Sequence, residues 1–461
     1  MVKEKVDSIS SEVLEFRKSI APIKALLGGT PAMRKAGETY LPKFALEESD
    51  KENGNKFYER RLKLATLVPY FSDTVKSMIG RVFYKPLNID KINDKIQYYK
   101  DDFDGFGSSV DDVMESVFFE ALAYRRSFIV IDYTATTQAE TAQEEKESGA
   151  RPYAFKVSAD QVMDVRFNRD DIVLFKYEHN IVDDENTNDF EVNYKREIVL
   201  MTPGLTRKYH EDKDNWALVS EEQIEVGGKA PDYVYAVELS LAKEPPLQNL
   251  AELNIKHWQS QSDQDNILST ARTPILKITG IPNSEPNDVV VISGAMYLPP
   301  NADADYIEHT GAAIKSGQES LDKLEEQMGI AGSKLLMKTK MAFTDQQARD
   351  EALKEVSELM LYGGMLNKFI LKTLRMFGEW LKVDDTGEFD LTQNLANTVD
   401  SGTPTQEVLL AVTQEIISKK TAYSTLVARG TIPDLTTFEE EQEQIAIERE
   451  TGLSRPSSPD M

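Results

Sequence analysis

Apolar residues Ile9, Val13, Phe16, Ile20 and Ile23 recur near the helical period and predict an amphipathic helix over residues 8–27. Gly28-Gly29-Thr30-Pro31 predicts its end, followed by Ala32 to Pro42 and a charged, loop-like region to Asn55. Tyr58, Leu62, Leu64, Val68, Phe71, Val75 and Met78 then predict a single helix from Phe57 to Val82, bent at Pro69. Asp101 to Ser109, DDFDGFGSS, is turn chemistry, and Ser109 with Asp112 forms an N-cap for a helix over 110–124. The run SFIVIDY, Ser127 to Tyr133, predicts a strand. Thr134 to Ala150 has no hydrophobic period and reads as a flexible loop. From Tyr153 to Leu241 the pattern is β: YAFKV, IVLFKYEHNIV, FEVNYKREIVLM and YVYAVELSL alternate or are β-branched, which predicts an antiparallel meander.

A different pattern follows Pro245-Pro246. One long helix runs to about Arg272 and passes directly into the β segments PILKITG and DVVVISG. A second helix is predicted from Tyr306 to Gly329. At 1.5 Å per residue the two would be about 39 and about 36 Å long. Two long helices around a β-rich excursion read as a stalk with something mounted on its tip. Asp345 to Val383 predicts a further helix with core positions Leu353, Val356, Met360, Leu366, Phe369, Ile370, Phe377 and Trp380. Gly363-Gly364 at its middle marks a kink or a close packing point. Shorter helices are expected over Thr403–Ser418 and Ala422–Arg429, an acidic one over Phe438–Glu450, and a disordered end from Ser454. No internal repeat is present.

Composition narrows the class. The 461 residues fit about three ordinary domains or one elaborate multi-part subunit. No apolar run approaches the roughly 18 residues a membrane span needs, and the first residues lack the apolar core of a signal peptide. Cysteine is absent, which removes disulfides and thiolate chemistry. The 78 acidic and 53 basic residues, net −25, argue against a protein that coats or tightly grips nucleic acid.

The candidate chemistry is sparse. DDFDGFG fails the calcium-loop spacing, because the first ligand position would be Lys100 and the twelfth Asp111. Its GFG follows no strand and so does not read as a phosphate loop. None of His179, His210, His257 and His309 has a histidine or carboxylate at metal-ligand spacing. His257 beside Trp258 reads as packed between neighbouring subunits rather than catalytic. No serine sits in a GxSxG setting and no GxxxxGK[ST] motif occurs. No cofactor or metal is expected, and carboxylate abundance is the only support for a hydrolase. Gln327 to Thr344 contains no acid but carries Lys334, Lys338 and Lys340. That reversal reads either as a lysine loop that touches phosphates or as an ordinary solvated loop.

Several blocks stand in order along the chain: GGTPAMRKAGETYLPK, YERRLKLATLVPYFSDTVKSMIGRVFYKP, DDFDGFGSSVDD before SFIVIDY, PPLQNLAELNIKHWQSQSD, and YIEHTGAAIKSGQESLDKLEEQMGIAG. Together they resemble one family of tailed-bacteriophage portal proteins, ring-shaped connectors through which viral DNA enters and leaves the head. The likeness spans Gly28 to Trp380 and is weaker in the last eighty or so residues.

The resemblance implies an α+β portal-like subunit. Residues 1–246 would be the helical and β wing, 247–272 and 306–329 a two-helix stem, and 273–305 a small β-rich clip. Residues 330–344 would be a tunnel loop, 345–383 a long kinked wing helix, and 384–461 a helical crown with a disordered C-terminus. It implies a homo-oligomeric ring, a dodecamer, at a capsid vertex of the virion, assembled in the host cytoplasm. The implied partners are double-stranded DNA passing without sequence specificity, the terminase large subunit, a head–tail adaptor and the major capsid protein, with no membrane and no enzymatic activity. Acidic walls suit a conduit, since they keep DNA from sticking. Under this reading Lys334, Lys338 and Lys340 touch DNA. Trp258, Leu268, Leu321 and Leu324 pack stem helices within or between subunits, and the acidic C-terminal helix lies near packaged DNA. The readings left beside it are an acidic cytosolic hydrolase and a generic helical scaffold.

Overall fold

The computed structural model describes residues 5–50, 53–134, 150–183, 186–188, 190–212, 215–272, 275–279, 290–292, 295–297, 303–307, 311–332, 345–391, 405–414, 416–428, 432 and 437–450. The helices in chain order begin with α1 (Ser11–Leu27), α2 (Gly29–Ala36), α3 (Ala45–Ser49), α4 (Gly54–Leu64), α5 (Tyr70–Val82), α6 (Asp94–Gln97) and α7 (Val110–Tyr124). Eight strands follow: β1 (Arg126–Tyr133), β2 (Pro152–Val157), β3 (Val162–Asn168), β4 (Asp171–Val182), β5 (Tyr194–Thr202), β6 (Leu205–Asp212), β7 (Asn215–Gln223) and β8 (Ala236–Ser240). Then come α8 (Gln248–Ala271), β9 (Ile275–Thr279), β10 (Val290–Ile292), β11 (Ala295–Tyr297), β12 (Asp303–Ile307), α9 (Ala312–Gly332) and α10 (Asp345–Trp380). The last helices are α11 (Thr405–Thr413), α12 (Lys419–Ala428) and α13 (Phe438–Glu450). The class is α+β, as the sequence predicts. The chain divides into two compact units, one of Met1–Glu15, Lys76–Lys243 and Thr339–Met461, the other of Phe16–Val75 and Glu244–Lys338.

In the first unit the core forms around β1, whose residues Arg126 to Ile131 are all buried. The strand lies between β2 and β8 in an antiparallel three-stranded sheet, and α7 and α10 pack on it. Ser109 caps α7 as predicted: its hydroxyl accepts from the Asp112 N–H at 3.2 Å, and the Asp112 carboxylate accepts from the Ser109 N–H at 3.0 Å. The preceding turn uses its acids in the same way. Asp104 accepts from the N–H groups of Phe106 and Ser108, and Asp102 accepts from Gly107, whose φ of +94° suits only glycine. Phe103 is thereby turned inward to stack on Phe377 of α10, with ring centroids 4.7 Å apart.

The predicted meander is split. Strands β3 to β7 form a five-stranded antiparallel sheet in sequence order, whereas β2 and β8 leave it to flank β1. Alternation alone does not disclose that exchange, because each strand keeps the same pattern on either sheet. The segment FEVNYKREIVLM also becomes a strand only from Tyr194, leaving Phe190 fully exposed. Thr134 to Ala150 lies almost wholly outside the described residues.

Within this sheet, His179, Glu197 and His210 face one another across β4, β5 and β6. The imidazole Nε2 atoms of His179 and His210 lie 2.9 and 2.7 Å from the two oxygens of buried Glu197. The sequence reading found no carboxylate partner for these histidines, because cross-strand register rather than linear spacing brings the three together. Burial works to raise the Glu197 pKa, but hydrogen bonds and charge from both imidazoles outweigh it and hold the carboxyl below its ordinary value. A depressed carboxylate contributes stability above its unfolded value and loses it as pH falls through the folded one. Glu197→Gln is therefore expected to cost about 1–3 kcal/mol at pH 7. That difference should shrink toward zero well below about pH 4.5, the ordinary glutamate value. Paired thermal melts from pH 7 to 3 check this, and a constant difference would sink it.

The second unit corrects the N-terminal helix expectations. Gly28-Gly29-Thr30-Pro31 interrupts the helix for one residue only, and the chain re-enters α2, where Pro31 occupies the first turn that needs no backbone donor. The region expected to be loop up to Asn55 holds the short α3 as well. The helix predicted from Phe57 to Val82 is two helices, with Ala65 to Pro69 extended between them. Pro69 disfavours helical backbone at Val68, and the carbonyl of buried Ala65, which no longer has a helical partner, is taken by the Arg34 guanidinium at 2.9 and 3.1 Å.

Candidate functional site

The site proposed by the sequence is the pair of long helices with the β excursion between them, and all of it lies in the second unit. Helix α8 has 24 residues and α9 has 21, about 36 and about 32 Å long. The second begins later than predicted. Tyr306 belongs to β12, paired with Leu276 of β9, and Gly311 at φ +74° turns the chain into α9 at Ala312. The excursion contains two short antiparallel pairs, β9 with β12 and β10 with β11.

The seam between the helices is narrow. On α9, Leu321, Leu324 and Met328 are buried at a spacing of three and four, while residues 318–320, 322, 323, 326, 327 and 330 are exposed. From α8, Leu250 lies against Gly332, His257 against Glu325 and Gln264 against Ile314 and Gly317, while Ala251, Asn254 and Trp258 are buried on the same helix. Trp258 and His257 are fully buried within a single chain, so the expectation that His257 packs between subunits is not met. Leu268, grouped with them by sequence, is only half-buried.

Polar anchors set the register of the seam. Asn254 is buried and spans the chain before α5: its carbonyl oxygen accepts from Phe71 N–H at 3.1 Å and its amide donates to Val68 O at 3.0 Å. His257 Nε2 meets Glu325 at 3.3 Å, while the edge of the Tyr70 ring approaches the imidazole with centroids 5.8 Å apart. Burial, then the adjacent Glu325 charge, pushes the Tyr70 phenol up to about 12. Gln264 donates to Ile314 O at 2.8 Å, and a Cβ at Gly317 would lie 2.1 Å from the Gln264 carbonyl oxygen. A side chain there would have to displace the Gln264 amide from Ile314. Sequence reasoning missed Asn254, Glu325 and Gln264, whose only signal is polarity on a buried stripe.

Gly329 and Gly332, read as hinges of a loop beginning at Ile330, lie inside α9 instead. A side chain at Gly332 would meet Leu250 and Thr74 at 2.8 Å, so this glycine serves packing rather than bending. Lys334, Lys338 and Lys340 lie outside the described residues. In the first unit α10 runs without a break through Gly363-Gly364, where the sequence allowed a kink. Its Leu366, Phe369, Ile370 and Phe377 are buried as expected, and Trp380 is half-buried against Tyr133 and Tyr235. The side chains of Leu353, Val356 and Met360 lie outside the described residues. Among the described residues, no helix is long and apolar enough to cross a membrane.

Residues 246–381, which comprise the two long helices, the excursion and α10, match a family described as a domain of unknown function (DUF4055). No curated protein matches the sequence. Among solved structures, the chain is similar to one from the "neck of empty GTA particle computed with C6 symmetry". The TM-score is 0.40 at 9% identity, covering 82% of this chain and 90% of that one. A second, from the "neck of native GTA particle computed with C12 symmetry", has a TM-score of 0.39 at 10% identity, covering 78% and 89%.

Proposed function

We propose that this chain is a portal-type head–tail connector subunit of a tailed-phage particle, assembling as a ring around a channel for double-stranded DNA. The observation that carries the reading is the helix–β–helix unit. Two long helices share one thin apolar seam, leave most of the exposed face of α9 polar, and hold a small β excursion between them, in the part of the chain where PPLQNLAELNIKHW and LDKLEEQMG resemble portal stems. In this reading the excursion docks a packaging terminase and later an adaptor, the first unit faces the capsid, and the chain performs no chemistry itself. Its net charge of −25 leaves a channel wall to which DNA does not adhere.

Negative-stain microscopy of the purified protein tests the reading: rings with a central hole wide enough to pass a DNA duplex are expected. A compact monomer would overturn it. The lysine segment gives a separate test. Replacing Lys334, Lys338 and Lys340 together by Ala should leave ring assembly intact and alter DNA retention in a salt-dependent way. Loss of assembly would make the segment a packing element and remove its DNA role.

A further inference from the structure

The first 22 residues of the second unit, Phe16 to Gly37, hold five basic side chains and no acid, the longest acid-free run in a chain of net charge −25. Folding sorts this run into an inner and an outer face. Phe16, Ile20, Ile23 and Leu26 of α1 and Met33 of α2 are buried, which at helical spacing turns Lys18 and Lys24 outward. On α2, Arg34 is drawn to the Ala65 carbonyl, and Lys35 beside it stays exposed. The exposed positions of the run are therefore Lys18, Lys24 and Lys35, with only Ser19, Ala21, Gly28 and Pro31 among them. Glu38, the acid that ends the run, is taken by Lys43 at 2.6 Å.

The make-up of that face indicates what it meets. A protein interface is anchored by aromatic and other large apolar side chains and is depleted in lysine. None of the exposed positions here carries a large apolar side chain. A lipid surface is entered by the apolar face of a helix, and the apolar face of α1 is consumed in the core. Lysines standing among small residues offer mobile point charges and allow close approach. Those properties suit the phosphates of a nucleic-acid backbone, which position a partner without carrying sequence information.

We infer that the outer face of α1 and α2 is a contact for the phosphate backbone of double-stranded DNA, made through Lys18, Lys24 and Lys35 without sequence preference. The duplex as partner rests on the channel reading above, and these lysines are distinct from Lys334, Lys338 and Lys340. Because the chain as a whole is acidic, the contact is weak and salt-labile, which lets a duplex slide or be released. Fluorescence anisotropy of a labelled random-sequence duplex with the full-length chain tests it, with circular dichroism as the folding control. Wild type should bind, with affinity falling steeply between about 50 and about 200 mM salt. Lys18→Ala, Lys24→Ala and Lys35→Ala combined should weaken binding about tenfold at low salt and lower the salt slope by about one per lysine removed. Arginine at the same three positions should keep both affinity and slope, which separates lost charge from lost folding. Unchanged affinity and slope in the alanine variant overturn the inference, as does a wild type that binds no duplex at low salt. Polyglutamate bound as tightly as the duplex overturns it in favour of an acidic protein surface. Rings that bind no duplex sink this contact alone and leave the ring standing, whereas lysine-dependent binding by a chain that never forms rings keeps the contact and overturns the ring.

Discussion

Trp258→Ala is expected to destabilise the second unit by about 3–5 kcal/mol, the range for deleting a large, fully buried aromatic. The side chain is 0% exposed, and its indole nitrogen has no hydrogen-bond partner among the described residues. The loss is therefore one of packing and cavity formation, and Trp258→Phe should recover a large part of it. Chemical denaturation followed by circular dichroism measures the effect. Because α8 would lose its largest fully buried side chain, the transition should move to lower denaturant than in wild type. An unchanged transition would show that Trp258 contributes nothing to the packing of α8.

Glu47→Leu is expected to cost a similar amount, about 3–5 kcal/mol, by leaving the Arg61 guanidinium buried and uncompensated. Glu47 takes both Arg61 Nε at 3.0 Å and Nη2 at 2.8 Å, while Phe44 lies under the guanidinium at 3.9 Å from the ring centroid. Burial works to raise the Glu47 pKa, yet the Arg61 and Phe44 N–H hydrogen bonds and the Arg61 charge hold it below the ordinary value. The contribution is thus complete at neutral pH and declines as pH falls below about 4.5 through the lowered value. Replacing both partners, Glu47→Leu with Arg61→Met, should be much less damaging than the single change, since no charge remains buried alone. A double variant as unstable as Glu47→Leu would show that the cost is steric instead.

Where a helix or turn is specified by neighbours in the chain, its place was legible. Ser109 and Asp112 cap α7 because a capping box is complete within four residues. The acidic α13 occupies Phe438–Glu450 as predicted, and the Pro245-Pro246 start of α8 is met to within two residues. Errors arose where a local pattern permits two outcomes. Pro69 can bend a helix or separate two; the Ala65 carbonyl captured by Arg34, thirty-one residues earlier in the chain, selects separation. Gly332 can free a loop or admit a neighbour; Thr74 and Leu250 beside it select the second.

The candidate site divides along the same line. Hydrophobic period alone determined that two long helices enclose a short β excursion, and that Trp258, Leu321 and Leu324 belong to buried stripes, because those features repeat within a few residues of themselves. Only the tertiary structure decided that Trp258 is buried within its own chain, and that Asn254 clamps the segment before α5. It alone brought His179, Glu197 and His210 into one row. Each of these depends on which distant segment arrives at a given face. That choice is made by packing between surfaces whose patterns, read one at a time along the chain, are equally good.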